Sequence, residues 1–105
     1  MSERQPIATQ SKSDKKPQLD KFFKLAVKTQ ASDLHLKAGQ PPKLRVYGSL
    51  KNTNADELTA ERIEELVFEL FSEQQREFFD EHGTIDFAYE LDEENRFRIN
   101  VFRQR

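Results

Sequence analysis

Polar and apolar side chains alternate strictly in the stretch Arg96-Phe97-Arg98-Ile99-Asn100-Val101-Phe102 of the 105-residue chain. Because successive side chains of a β-strand point to opposite faces of a sheet, this pattern predicts a strand with Phe97, Ile99 and Val101 on one face. The other face carries Arg96, Arg98 and Asn100. Two guanidinium groups one strand step apart offer planar donors suited to phosphate or carboxylate. We therefore expect these arginines to serve a partner outside the chain.

The sequence stops directly after this predicted strand, at Arg103-Gln104-Arg105. We interpret the chain as one domain of a larger protein. Residues 1–18 are rich in Ser, Gln and Lys and offer little to bury, so we expect a flexible leader. Residues 19–105 then form one small domain. Its core is expected to be rich in phenylalanine, since the chain has nine phenylalanines and no tryptophan.

The formal net charge of −2 favours neither nucleic acid nor a membrane surface. Carboxylates dominate residues 56–94, whereas residues 96–105 carry four arginines and no acid. The absence of cysteine excludes disulfides and thiolate metal sites. No run approaches the roughly 18 apolar residues of a membrane span, and no signal peptide is recognisable. We expect a cytoplasmic location.

Three segments have the apolar spacing of amphipathic helices. The first runs from Leu19 and is expected to end near Gln30 or Ala31. The second follows an N-cap at Thr59 and has apolar residues at helical spacing through residues 63–71.

The third predicted helix opens with a capping box formed by Ser72 and Gln75. It should turn Phe78 and Phe79 inward and end at Gly83, where a left-handed residue is wanted.

Period-two alternation predicts strands at residues 32–36, 43–47 and 84–91 in addition to the arginine strand. Gly48-Ser49 should reverse the chain into a short strand at residues 50–52. The order of elements predicts an α+β domain with helices on one face of a mixed or antiparallel sheet.

The other face of this sheet is expected to be polar. It collects the outward residues Asp33, His35, Arg45, Asp86, Glu90, Arg96, Arg98 and Asn100. A solvated surface whose charges maintain solubility is the simplest interpretation. A functional surface is the alternative.

Asp33 and His35 allow a catalytic interpretation, because a carboxylate can orient an imidazole. No nucleophile is linked to them by a local motif, so a hydrogen-bonded pair at an interface is favoured. A metal site would need His35, His82 and carboxylates at no recognised spacing. Neither of the glycine-rich phosphate-binding loops is present. We therefore expect no metal site and no nucleotide hydrolysis by this chain alone.

Several stretches together carry a family resemblance: Ala31-Ser32-Asp33-Leu34-His35-Leu36, Ala38-Gly39-Gln40-Pro41-Pro42, Arg45-Val46-Tyr47-Gly48, Glu73-Gln74-Gln75-Arg76, and residues 96–104. In this order, from about Leu19 onwards, they resemble the N-terminal domain of the type IV pilus retraction ATPases of the PilT/PilU group, in the type II/IV secretion ATPase superfamily. The leader lies outside the resemblance, and the motor domain of that family is absent.

The resemblance implies a PAS-like domain joined to a RecA-like motor domain that binds ATP and Mg²⁺ and forms a homo-hexamer. It implies packing on the motor domain of the same and of a neighbouring subunit, and attachment to the pilus machinery of the inner membrane. In that family, arginines of this domain are expected to reach the ATP phosphates. Arg98 is the best match to such an arginine, Arg96 is the second, and Arg105 is the third. The residues expected near the domain junction are Asp33, His35, Arg45, Asn100 and Gln104.

Two other functions remain open from the sequence. A stand-alone PAS-like sensory module could hold a ligand between sheet and helices, although no convergent polar groups are evident there. Single-stranded nucleic acid could bind Arg96 and Arg98, but the acidic segment at residues 56–94 disfavours it.

Overall fold

The structure, a computed structural model, describes residues 16–104. It contains three helices and five strands within that range: α1 (Asp20–Thr29), β1 (Asp33–Lys37), β2 (Lys43–Val46), β3 (Ser49–Asn52), α2 (Ala60–Phe68), α3 (Glu73–His82), β4 (Thr84–Glu90) and β5 (Arg96–Phe102).

The strands form one sheet in the order β3-β2-β1-β5-β4. The central pair, β1 and β5, is parallel, and the other neighbours are antiparallel. The antiparallel pairs β1–β2, β2–β3 and β4–β5 are consecutive in the chain, so short turns suffice for them. The parallel pair β1–β5 is joined by a long connection that contains β2, β3, α2, α3 and β4. The predicted α+β class with a mixed sheet is confirmed.

The helices pack on the apolar face of the two central strands. Leu34 and Leu36 of β1 and Ile99 and Val101 of β5 are fully buried there. Phe23 of α1 stacks on Tyr89, with ring centroids 4.5 Å apart, and contacts the tilted ring of Phe97 at 5.4 Å. A second aromatic group, Phe68, Phe71, Phe79 and Phe87, joins α2 and α3 to β4. The core is thus rich in phenylalanine, as the composition predicts.

The helix ends follow the local sequence signals. The Thr59 side chain accepts a hydrogen bond from the Arg62 backbone N–H, and Ser72 and Gln75 form the predicted capping box. Gly83 ends α3 with φ 76°. Gln30 ends α1 at φ 61°, within the predicted boundary.

Two local predictions are wrong. The β2–β3 reversal centres on Tyr47 and Gly48, with φ of 50° and 83°, and not on Gly48-Ser49. Two left-handed residues in a two-residue loop match the twist of the flanking strands. Phe78 is 47% exposed instead of inward, and its ring stacks on His82 at 4.1 Å. Helical spacing admits either Phe78 or Phe79 as the core residue, and Phe79 takes that place.

In residues 16–104, no helix is both long and apolar enough to cross a membrane.

Candidate functional site

The register of the sheet brings the polar residues of the helix-free face into contact. Asp33 lies directly opposite Arg98 on one side and Arg45 on the other. One strand step along, His35 lies opposite Asn100 and Lys43. The predicted polar face therefore exists, and β1 and β5 form its centre.

Arg98 is held between two carboxylates. Its Nε lies 3.7 Å from Oδ2 of Asp33, and its Nη2 lies 3.6 Å from Oδ2 of Asp86. Both distances exceed ordinary hydrogen-bond lengths, so these contacts are loose ion pairs. The side chain remains 60% exposed. Arg98 thus presents a cation to the outside while its position is restricted from two sides.

Asp33 departs from the expectation of an outward, solvated residue, because it is only 7% exposed. Its Oδ1 accepts a hydrogen bond of 2.6 Å from the Ser32 hydroxyl. Ser32 also accepts, through its backbone carbonyl, the Arg98 N–H at 3.0 Å. Ser32 therefore contacts both members of the ion pair. Asp33 is paired with Arg98 and not with His35. The hydrogen-bonded Asp33–His35 pair that the sequence favoured is therefore not formed, and the catalytic interpretation lacks its contact as well.

His35 and Asn100 form a second part of the face. Asn100 is 8% exposed, contrary to the expectation of an outward residue. Nδ1 of His35 and Nδ2 of Asn100 are both buried without a hydrogen-bond partner among the described residues. Burial lowers the pKa of His35, and the charges of Lys43, Lys37 and Arg45 lower it further, while the Asn100 side chain acts in the opposite direction. His35 is consequently neutral at pH 7.

The remaining predicted site residues lie at the margins. Arg96 is 68% exposed, and its Nη2 pairs with Oε2 of Glu90 at 2.7 Å. Arg45 donates from Nη1 to the Gly48 carbonyl at 3.3 Å. Gln104 is exposed beyond the end of β5. Arg105 lies outside the described residues.

The sequence patterns gave no role to Arg103, which the fold uses as an anchor. Its Nη1 donates to Oε2 of Glu64 at 2.9 Å and its Nη2 donates to the Asp80 carbonyl at 3.1 Å. The guanidinium also lies 5.0 Å from the centre of the Phe79 ring. These contacts come from two helices, α2 and α3, that are distant from Arg103 in the sequence, so no local pattern could reveal them.

A shallow cleft of about 230 Å³ lies between the end of α1 and the β4–β5 turn. Arg96 and Phe97 form one wall, and Val27 and Gln30 form the other. The cleft is open to the surface at the margin where α1 meets β5. Residues 16–104 hold no group of three or more His, Asp or Glu side chains that could bind a metal ion.

Comparison with known proteins identifies the relatives of this fold. The chain is 35% identical to the type IV pilus retraction ATPase PilT of Pseudomonas aeruginosa over 86 residues, which cover 82% of the chain and 25% of PilT. It is 34% identical to the type IV pilus ATPase PilU of the same organism over 88 residues, 84% of the chain and 23% of PilU. The chain is a homologue of PilT and PilU.

A solved structure of the pilus retraction motor PilT with bound ADP superposes on 87% of the chain with a TM-score of 0.60 and 35% identity. The match covers 26% of that PilT chain and corresponds to its N-terminal domain region. The chain thus spans about a quarter of the length of PilT and PilU. No family model matches it.

Proposed function

We propose that this chain is the N-terminal domain of a hexameric pilus-retraction ATPase that packs on a neighbouring RecA-like motor domain and supplies arginines to the ATP phosphates. Homology to PilT and PilU supports the proposal that the chain is part of a pilus-retraction ATPase. The observation that carries the arginine role is the exposed, loosely paired guanidinium of Arg98 on a rigid central strand. Arg96 is the second candidate, since it is exposed on the same strand.

The chemistry of an arginine suits this role. Its guanidinium stays charged at any relevant pH and offers paired donors to phosphate oxygens. Charge that develops on a transferring phosphoryl group is stabilised by such donors, and an arginine from a neighbouring subunit is worth a factor of about 10³–10⁵ in well-studied cases. On a separate domain, Arg98 arrives only when the domains close, so closure is coupled to hydrolysis.

ATP and Mg²⁺ belong to the motor domain in this proposal. The chain has no glycine-rich phosphate loop, and its described residues offer no group of metal ligands. The chain therefore acts on nucleotide only as an accessory and hydrolyses none alone. We place the assembled motor in the cytoplasm, peripheral to the inner membrane through the pilus machinery, with no nucleic acid as partner.

Substitution of Arg98 in the complete motor protein tests the proposal. Arg98→Ala is expected to lower ATP turnover at least tenfold while the circular dichroism spectrum stays unchanged. Arg62→Ala is the matched control, because Arg62 is an exposed arginine of α2 that is also paired with a carboxylate, Glu65, at 2.8 Å. Turnover within twofold of the wild type for Arg98→Ala would refute the arginine role.

The alternative, a PAS-like module with a ligand between sheet and helices, has less support. Phe23, Leu34 and Phe79 fill that space and are fully buried. A ligand that binds only the folded state must raise the melting temperature. If a thermal-shift screen finds a small molecule that raises the melting temperature of the chain, that result would favour the ligand-binding module over the proposed role in a motor ATPase.

A further inference from the structure

We propose that Asp33 and Asp86 hold Arg98 in different ways: Asp33 is a fixed positioning residue that orients the guanidinium through Nε, and Asp86 is an exchangeable partner that a nucleotide phosphate displaces from Nη2. This inference rests on the proposed function. It assigns the Ser32-Asp33 part of the sequence motif to the positioning of Arg98, and it adds Asp86 as a residue that tunes nucleotide affinity.

Asp33 has the properties of a fixed partner. It is 7% exposed, and its Oδ1 is held by the Ser32 hydroxyl at 2.6 Å. The backbone of Arg98 is bound to Ser32 as well, since its N–H donates to the Ser32 carbonyl at 3.0 Å. The carboxylate and the start of the Arg98 side chain are therefore fixed to the same residue. Oδ2 of Asp33 remains free to face Nε at 3.7 Å.

Asp86 has the opposite properties. Its side chain is 57% exposed, and it projects from β4, an edge strand of the sheet. Its contact with Nη2 of Arg98, at 3.6 Å, is an exposed ion pair, which contributes little free energy and is screened by salt. Ala88, the residue directly opposite Arg98 on β4, has a small side chain. Arg98 can leave Asp86 without the loss of a buried contact.

The donor geometry of arginine permits the exchange. A guanidinium carries one N–H on Nε and four on the two Nη atoms, in one plane. With Nε directed at Asp33, the Nη groups remain available for a second anion on the outer side. Asp86 occupies this position when no phosphate is present, and a phosphate oxygen takes its place as the domains close. Asp33 keeps the plane of the guanidinium in the same orientation in both states.

Arg96 lacks this arrangement. Among residues 16–104 it forms one ion pair, with Glu90, which is 49% exposed, and the contact is through Nη2 at 2.7 Å. No described carboxylate faces its Nε in the way that Asp33 faces Nε of Arg98. The two arginines are therefore not equivalent, and the structure favours Arg98 as the one prepared to meet phosphate.

Steady-state ATPase kinetics of the complete motor protein test the inference. Asp86→Asn is expected to lower the KM for ATP by about two- to fivefold with kcat nearly unchanged, because a competitor of modest strength is removed. Asp33→Asn is expected to lower kcat by about threefold or more, because the guanidinium loses its orientation. In the Arg98→Ala background, neither substitution is expected to have a further effect. Glu65→Gln removes the carboxylate of a comparable exposed arginine pair on α2 and is the control.

Buried Asp33 is sensitive to substitution, so Ser32→Ala provides a second variant. It removes the 2.6 Å hydrogen bond to Oδ1 but retains the backbone carbonyl that binds Arg98. A decrease in kcat that again disappears in the Arg98→Ala background is expected, whether or not Asp33→Asn folds. The conservative variant Arg98→Lys is not expected to restore kcat, because lysine has no Nε separate from its phosphate-binding donors.

The outcomes separate the two proposals. If Arg98→Ala slows turnover but Asp86→Asn leaves KM unchanged, the exchange at Asp86 is overturned and the proposed function stands. If Ser32→Ala and Arg98→Ala have additive effects on kcat, the positioning role of Asp33 is overturned, and the proposed function again stands. If Arg98→Ala leaves turnover unchanged, both the proposed function and this inference are refuted.

Discussion

Arg103 donates a hydrogen bond to Glu64 over 2.9 Å and so fastens the end of β5 to helix α2. The two residues are 25% and 35% exposed, and the same guanidinium also bonds the Asp80 carbonyl at the far end of α3. One side chain therefore links a central strand to two helices. This degree of burial makes the contact stronger than an ordinary surface ion pair.

Arg103→Ala is expected to lower the free energy of unfolding by about 1–2 kcal/mol, because Glu64 and the Asp80 carbonyl both lose a donor. Urea denaturation followed by circular dichroism measures the change. Arg62→Ala serves as the control: its pair with Glu65 lies on the surface, and a change below about 1 kcal/mol is expected. Equal changes for the two variants would contradict the anchoring role.

The two adjacent phenylalanines of α3 should differ sharply in their effect on stability. Phe79 is fully buried and contacts Phe68 and Phe71, so Phe79→Ala is expected to cost about 3–5 kcal/mol. Phe78 is 47% exposed, and Phe78→Ala is expected to cost less than about 1 kcal/mol. Thermal or urea unfolding of the two variants gives a direct comparison. A larger loss for Phe78→Ala would mean that α3 is rotated relative to this structure.

The capping box at Ser72 should contribute measurably to the stability of α3. Its hydroxyl accepts the Gln75 N–H at 3.1 Å, and the Gln75 side chain accepts the Ser72 N–H at 2.9 Å. Ser72→Ala is expected to lower the free energy of unfolding by about 0.5–2 kcal/mol. Ser72→Asp retains an acceptor at the same position and is expected to keep the stability within about 0.5 kcal/mol of the wild type. If both variants are equally destabilised, the side-chain cap is not the cause.

Protonation of His35 should weaken the fold in mild acid. The pKa of His35 is lower in the folded chain than its ordinary value of 6.5, chiefly through burial. As the pH falls from 7 through 6.5 towards that lowered pKa, the unfolded chain binds the proton first, so the free energy of unfolding decreases. The decrease is complete once the pH is below the pKa of the folded state.

Urea denaturation at several pH values between 7 and 5 measures this dependence. His35→Gln removes the titrating group and is expected to flatten the curve in this window relative to the wild type. An unchanged slope in the variant would assign the dependence to other groups.

The sequence predicted the strands and the polar face because alternation and helical spacing depend on local contrasts between apolar and polar side chains. Arg96 and Arg98 are exposed, as their alternation with Phe97 and Ile99 predicts. Caps at Thr59, Ser72 and Gly83 were predictable for the same reason, since each depends on one or two neighbouring residues.

The contacts of Asp33 and Asn100 could not be predicted in this way. Alternation assigns a residue to a face of the sheet, but the exposure on that face depends on which large side chains surround it. Asp33 is buried among its neighbours because β1 lies at the centre of the sheet, between β2 and β5. That strand order follows from long-range pairing, which no local pattern contains. The contacts of Arg103 could not be predicted for the same reason.

The parallel pairing of β1 with β5 joins the first described strand to the last. During synthesis on the ribosome, β1 cannot pair with β5 until nearly the whole domain has been translated. Until then, β1 has only β2 beside it, and the backbone N–H and C=O groups along its other edge lack their partners in β5. Domains built from distant strand pairings fold slowly and expose such edges in the meantime. We therefore expect the nascent chain of this domain to present an unpaired strand edge until residue 102 has emerged.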